Sequence, residues 1–76
     1  MEISDFLSKF KEQLIDGKEV NLTIDDDFRK TDSYDSLTGM AILVMIKDEF
    51  RIDITDNEYK SIHSVSELFE FINTKL

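Results

Sequence analysis

Apolar residues recur at helical spacing near the N-terminus of the chain. They follow the i, i+3, i+4, i+7 pattern of one buried helix face and are Ile3, Phe6, Leu7, Phe10 and Leu14. Gly17 is expected to end this helix, because glycine tolerates the left-handed conformation of a C-terminal cap. The pattern therefore predicts a first amphipathic helix that stops at Gly17.

Residues 18–35 show no helical repeat and are predicted to form a long polar loop. Its apolar side chains, which are expected to pin it to the core, are Val20, Leu22, Ile24 and Phe28. The run Asp25–Asp27 does not fit an EF-hand loop, because Arg29, Lys30 and Ser36 occupy positions that need an oxygen ligand, a glycine and a glutamate. We interpret the run as solvated acidic residues.

A second helix is predicted from Ser36 to about Phe50, with Asp35 as its N-cap. Its apolar residues form two faces, one with Ile42, Leu43, Ile46 and Phe50 and the other with Leu37, Met40, Ala41 and Val44. A helix that is apolar nearly all round is either wholly buried or partly covered by a partner. The pattern leaves both possibilities open. Glycine is unfavourable inside a helix, so Gly39 indicates either that another element packs closely against the helix there or that the helix simply tolerates this residue.

Two capping-box sequences predict the remaining helices. Thr55-Asp56-Asn57-Glu58 opens a short helical turn through Ile62, and Ser64-Val65-Ser66-Glu67 opens the last helix. In that last helix one apolar face is shared by Val65, Leu68, Phe69 and Ile72. The fold predicted is all-α: a small four-helix bundle with three main helices, a short third helix and a long loop after the first.

Length and charge narrow the possible functions. The 76 residues are enough for a single domain, residues 1–76. Seventeen acidic residues against nine basic ones give a net charge of −8, which argues against binding to nucleic acid or to an anionic membrane. Basic partner proteins are the natural expectation. A monomer is also expected, because like charges repel, although an apolar second helix would oppose this.

The chain lacks the residues of most catalytic sites. It has no cysteine, and its two glycines cannot form a phosphate-binding loop. We interpret His63, the single histidine, as structural or solvent-exposed. We therefore expect no enzymatic activity. The absence of cysteine and of a signal-like N-terminal segment, and an apolar run too short to span a membrane, lead us to expect a cytoplasmic protein.

Ser36 is the candidate site for chemistry. It follows the long polar loop and lies in the first turn of the second helix, directly behind Asp35. A hydroxyl there is accessible, and the free N–H groups and dipole of a helix N-terminus favour an attached phosphate. From these features alone, an ordinary residue of a helix cap is the simpler interpretation.

The motif Asp35-Ser36-Leu37 at the start of such a helix resembles the acyl carrier protein family. The resemblance continues through most of the chain. It covers the acidic helix end and apolar connection at 48–54, the third-helix start at 56–58, the segment 62–65, and Phe28, Leu68, Phe71 and Ile72. A short motif gains weight when its structural context also matches.

This resemblance implies that Ser36, flanked by Asp35 and Leu37, carries a covalent 4′-phosphopantetheine arm whose thiol holds acyl groups as thioesters. A holo-acyl-carrier-protein synthase would attach the arm, and acyl-loading and acyl-processing enzymes with basic and apolar patches would dock on the second helix. The docking residues implied are Leu37, Met40, Ala41, Val44, Asp48 and Glu49. The protein would act in lipid metabolism, such as fatty acid biosynthesis, and its core could shelter an acyl chain.

The chain also departs from the family pattern. Thr38, Ala41 and Lys47 stand where acidic residues are common, and Ser33-Tyr34 replaces a glycine and a small residue before Asp35. These changes predict a docking face that is more apolar and less acidic than usual, and a carrier for a specialised pathway. Two alternatives stay open: a carrier of amino acids such as D-alanine, and an acidic helical interaction module that is never modified.

Overall fold

The computed structural model describes residues 1–15 and 21–76. Its elements are helix α1 (Ile3–Glu12), a short 3-10 helix η1 (Phe28–Lys30), and helices α2 (Ser36–Phe50), α3 (Asp56–Lys60) and α4 (Val65–Lys75). The described part of the chain contains no strand. The prediction of an all-α fold with three main helices and a short third helix is confirmed. Gly17 and Val20, which were expected to end α1 and to pin the loop, lie outside the described residues.

Helix α1 contributes one buried face to the core. Phe6 and Phe10 are fully buried, as the spacing predicts, and Leu14 is buried although the helix ends at Glu12. Lys9 of α1 and Glu49 of α2 form an ion pair at 3.0 Å. Because both side chains are partly exposed, this pair contributes little to stability.

The loop before α2 is held in place by hydrogen bonds of its aspartates and by a buried phenylalanine. Asp27 caps η1 by accepting a hydrogen bond from the Arg29 N–H at 3.0 Å, and Phe28 is fully buried with its ring centroid 4.9 Å from that of Phe10. Asp26 accepts a hydrogen bond from the Thr23 N–H at 2.9 Å. The acidic residues therefore shape turns. Among residues 1–15 and 21–76, no three acidic or histidine side chains are grouped to hold a metal ion.

The core is built from all four helices and η1. Its fully buried large side chains are Phe6, Phe10, Phe28, Ile42, Ile46, Val65, Leu68 and Ile72. Of the apolar face formed by Ile42, Leu43, Ile46 and Phe50, Leu43 and Phe50 are only partly buried, whereas Met45, which was assigned to neither face, is buried. The side of α2 that faces the core is thus centred on Ile42, Met45 and Ile46.

Both predicted N-caps of the later helices are present. Thr55 and Glu58 form the complete capping box, in which the Thr55 hydroxyl accepts from the Glu58 N–H and the Glu58 carboxylate accepts from the Thr55 N–H. Ser64 accepts from the Glu67 N–H at 3.1 Å. Helix α3 ends at Lys60, short of the Ile62 predicted. None of the described helices is long and apolar enough to cross a membrane.

Candidate functional site

The start of α2 is fixed by Asp35, which adopts an extended conformation and acts as N-cap. Its Oδ1 accepts hydrogen bonds from the Thr38 backbone N–H at 2.8 Å and from the Thr38 hydroxyl at 2.9 Å. These hydrogen bonds to Thr38 hold the pKa of the Asp35 carboxyl below its ordinary value. The carboxylate is therefore ionised at neutral pH and is engaged with the helix.

Ser36 is the first residue of α2 and is exposed. Within the described ranges, no residue forms a hydrogen bond with its hydroxyl, whereas the neighbouring Asp35 carboxylate is bonded to Thr38. The first turn of α2 carries no acidic side chain, and its N-terminal dipole favours a negative group. An accessible hydroxyl in this position suits a phosphodiester, because the helix end compensates its charge.

Behind Ser36, a tyrosine pair fills the space between α2 and α3. The hydroxyl oxygens of Tyr34 and Tyr59 lie 2.9 Å apart, and Tyr59 is only 6% exposed. Gly39 in α2 faces this pair, since a Cβ atom built at Gly39 would lie 2.7 Å from the Tyr34 hydroxyl oxygen. The close-packing interpretation of Gly39 is therefore the correct one of the two that the sequence left open.

Arg29 closes this cluster on the side of η1. Its guanidinium carbon lies 4.7 Å from the Tyr59 ring centroid, and the guanidinium donates hydrogen bonds to the carbonyl oxygens of Tyr59 and Ile62. Tyr59 lies in the last turn of α3 and Ile62 lies two residues after its end, so Arg29 binds the C-terminal end of this helix. The role of Arg29 was missed from sequence, because it depends on contacts with residues 30 and 33 positions away.

The second apolar face of α2 is not part of the core. Leu37 is 74% exposed, Met40 64% and Val44 60%, and these three residues form what we call the exposed stripe. The sequence left open that α2 is wholly buried, and that alternative is wrong for these three side chains. Ala41 is half-buried, and the two acidic candidates Asp48 and Glu49 are exposed.

A shallow groove borders the exposed stripe on the side of α1. It is lined by Gln13, Ala41, Val44, Met45, Asp48 and Glu49. Four of the six residues predicted for partner docking therefore lie along one continuous groove, and the other two, Leu37 and Met40, precede it on the same helix. His63, in contrast, is exposed and has its Nδ1 3.7 Å from an Asp27 carboxylate oxygen.

Comparison with known proteins shows the family of this chain. The family model described as the phosphopantetheine attachment site matches residues 6–72. An acyl carrier protein from Thermosynechococcus vestitus is 27% identical over 79 aligned positions, which cover all of this chain and 98% of the relative. No solved structure gives a significant match. The fold and the matches define a carrier protein rather than an enzyme. The chain belongs to the phosphopantetheine attachment site family, and its cofactor is 4′-phosphopantetheine.

Proposed function

We propose that this protein is an acyl carrier whose Ser36 bears the 4′-phosphopantetheine arm. The observation that carries the proposal is the exposed Ser36 at the start of a long helix, where the Asp35 cap fixes the first turn. Asp35 and Leu37 flank it, one fixing the turn and the other presenting an apolar side chain to solvent. When bound, the arm supplies a thiol that holds acyl groups as thioesters.

Attachment of the arm requires a separate enzyme, which we propose is a holo-acyl-carrier-protein synthase using coenzyme A. The Ser36 oxygen forms the new bond to phosphorus, the pyrophosphate bond of coenzyme A breaks, and adenosine 3′,5′-bisphosphate leaves. We propose that the serine proton passes to a base of that enzyme, since no described residue of this chain forms a hydrogen bond with the Ser36 hydroxyl. Ser36 therefore contributes accessibility, and the transferase contributes the activation.

The exposed stripe and its groove are the docking surface that we propose for partner enzymes. An apolar stripe of Leu37, Met40 and Val44 beside exposed Asp48 and Glu49 suits a partner patch that is apolar at its centre and basic at its edge. Met40 adds an adaptable contact, since methionine fits irregular surfaces. The overall charge of −8 would steer such basic partners toward the chain.

Three features of α2 support a specialised pathway with dedicated partners. Thr38 is buried and bonded to Asp35, and Ala41 lines the groove without a charge. Lys47 is positive and pairs with Asp53 at 2.8 Å. The helix therefore offers fewer acidic contacts than partners in general fatty acid synthesis would need. Efficient passage of acyl groups through ordinary fatty acid synthase enzymes would contradict this part of the proposal.

We also propose that the carrier is a cytoplasmic monomer. The net charge of −8 supports the monomer, because like charges oppose self-association, and the absence of cysteine suits a reducing compartment. Analytical ultracentrifugation at several protein concentrations tests the monomer directly. A sedimentation coefficient that rises with concentration would show self-association and contradict the monomer.

The proposed attachment is tested by measuring the intact mass of the protein after incubation with coenzyme A and a broad-specificity phosphopantetheinyl transferase. We expect one added arm on the wild type and none on Ser36→Ala. Ser33→Ala is the matched control, because Ser33 lies in the same segment three residues earlier, and it should accept the arm normally. An arm on Ser36→Ala would refute the assignment. So would the absence of an arm on the wild type after incubation with both a broad-specificity transferase and the transferase of the native host.

A further inference from the structure

The Tyr34–Tyr59 pair lies where α3 contacts the segment that leads into α2. We call this contact the seam. Tyr34 precedes Ser36 by two residues, whereas Tyr59 belongs to α3, and their hydroxyl oxygens are 2.9 Å apart. One hydrogen bond thus joins the two sides of the seam immediately next to the proposed attachment residue. Because both tyrosines also lie against Gly39 of α2, the pair occupies the space between α2 and α3 beside Ser36.

Behind the pair, the described part of the chain places further aromatic rings. The Phe28 ring centroid lies 5.3 Å from that of Tyr34, 6.1 Å from that of Tyr59 and 4.9 Å from that of Phe10. On the α2 side, a single carbon atom added to Gly39 would already lie 2.7 Å from the Tyr34 hydroxyl oxygen. An acyl chain could enter here only by displacing a tyrosine, because the interior is close-packed.

Displacing either tyrosine would leave polar groups without partners. Tyr59 is buried, and its hydroxyl would lose the bond to Tyr34, which is unfavourable for a group removed from water. Tyr59 is also fixed from behind, because the Arg29 guanidinium lies over its ring and donates to its carbonyl oxygen. Burial raises the pKa of the Tyr59 hydroxyl, so it remains a neutral hydrogen-bonding group at physiological pH.

We infer that Tyr34 and Tyr59 keep the cargo of this carrier outside the helical core. Tyr34 is thereby a specificity-determining residue, and the carrier suits a short or polar acyl group, including an aminoacyl group. A long alkyl chain gains from a carrier mainly through burial of its methylene groups, and the closed seam denies it that gain. The inference rests on attachment at Ser36 as proposed above.

The test compares the solvent accessibility of two cargoes on the protein. A transferase loads the arm from butyryl- or octanoyl-coenzyme A, and the intact mass confirms each loaded form. The rate of thioester cleavage by hydroxylamine is then measured beside the same acyl groups on free pantetheine. We expect the octanoyl-to-butyryl rate ratio to be the same on the protein and on pantetheine within about twofold. A thioester that was buried for part of the time would be cleaved more slowly, in proportion to the fraction of molecules in which it is exposed.

A second readout follows the core itself. The methyl NMR signals of Ile42, Ile46 and Leu68 report on the interior, because all three side chains are fully buried. We expect these signals to be identical in the butyryl and octanoyl forms of the wild type. Octanoyl-specific shifts, or an octanoyl thioester protected by about tenfold or more on the wild type, would overturn the inference while leaving attachment at Ser36 intact. Absence of any added mass would instead refute the attachment, and the inference with it.

Two variants locate the effect at the seam. Tyr34→Ala removes the ring and should give the octanoyl form slower cleavage than the butyryl form, because the space next to Gly39 becomes available. Tyr34→Phe keeps the ring and removes only the hydroxyl, and it should behave like the wild type or show a smaller effect. Identical cleavage in Tyr34→Ala and wild type, with Tyr34→Ala folded by circular dichroism, would overturn the role of Tyr34. Should Tyr34→Ala not fold, the wild-type comparison still decides the inference.

Discussion

The Asp35 carboxylate accepts two hydrogen bonds from Thr38, one from the backbone N–H at 2.8 Å and one from the hydroxyl at 2.9 Å. Thr38 is only 4% exposed, so these bonds attach the N-cap to the packed side of the helix. Ser36 and Leu37 lie between the two partners and project from a turn that is held at both ends. The cap thus presents the proposed attachment hydroxyl in one fixed place.

We expect the Asp35 cap to stabilise the fold in a pH-dependent way. The folded-state pKa of Asp35 is lowered from 3.8 by its bonds to Thr38, so its stabilising effect is complete above that pH. The effect is lost as the pH falls through the folded-state pKa. Asp35→Ala should therefore melt about 4–8 °C below the wild type near neutral pH, and the difference should shrink in acid.

Thermal melts monitored by circular dichroism between neutral and acidic pH check this prediction. Asp32→Ala serves as control, because Asp32 is an exposed aspartate of the same loop. Its melting temperature should stay close to that of the wild type near neutral pH. A gap between Asp35→Ala and wild type that does not change with pH would show that the ionised carboxylate is not what stabilises the turn.

The helix starts were predictable from sequence because N-caps are local. Asp35, Thr55 and Ser64 each bond to a backbone N–H three residues later, so the sequence contains both partners. The position of Ser36 followed from the same local rule. The end of α3 was less predictable, since Arg29 of η1 donates to the carbonyl oxygens of Tyr59 and Ile62 there.

The orientation of α2 was not predictable, because its apolar residues surround the helix and give no periodic contrast. Only packing decides that Met45 is inside and that Val44 is outside. The Tyr34–Tyr59 bond joins residues 25 positions apart, and no local pattern indicates it. For the same reason the surroundings of the attachment site were harder to predict than the attachment residue.

The close contact between Gly39 and Tyr34 predicts a strong coupling between two substitutions. Alanine is preferred to glycine inside a helix by about 1 kcal/mol, but its Cβ would collide with the Tyr34 hydroxyl oxygen. In Tyr34→Phe that oxygen is gone, and the next ring atom is at an ordinary 3.5 Å. Gly39→Ala should therefore be more favourable in the Tyr34→Phe background than in the wild type, by about 1 kcal/mol.

Urea unfolding of the wild type, both single variants and the double variant measures this coupling. The two substitutions should be non-additive in the free energy of unfolding. Additivity within the error of the four curves would mean that the Tyr34 hydroxyl moves aside freely. In that case the seam beside Ser36 would be looser than the 2.9 Å bond between the tyrosines indicates.

A charge introduced on the exposed stripe should affect partners and not folding. Val44→Glu places the new carboxylate in solvent, so we expect a change in the free energy of unfolding of about 0.5 kcal/mol or less. Binding to partner enzymes should weaken, because the stripe loses apolar contact area. Helicity by circular dichroism and titration calorimetry with the transferase measure the two effects.

Ile46→Glu is the matched control for that experiment. Ile46 lies two residues further along the same helix but is fully buried, so an unpaired carboxylate there should cost about 3 kcal/mol or more and unfold much of the protein. If Val44→Glu lost helicity as Ile46→Glu does, the exposed stripe would have to be counted as core. Retained helicity with unchanged transferase binding would remove the stripe from the docking surface.

Salt should stabilise this acidic fold through screening alone. A net charge of −8 on a small domain implies self-repulsion in the compact state, and the Debye length falls to about 10 Å at 0.1 M ionic strength. We expect the melting temperature to rise by a few degrees with sodium chloride. Magnesium chloride at the same ionic strength should add little more. A saturable effect at low magnesium concentration would reveal a specific site.

The central claim, that Ser36 bears the arm, is tested most directly by locating the modification on the wild-type chain. Trypsin releases residues 31–47 as one peptide, which contains both Ser33 and Ser36. Fragmentation of that peptide from the holo form, by a method that preserves phosphodiesters, separates the two serines. We predict the added mass on Ser36 alone. Added mass on Ser33 or elsewhere in the chain, or an unmodified 31–47 peptide, would contradict the account.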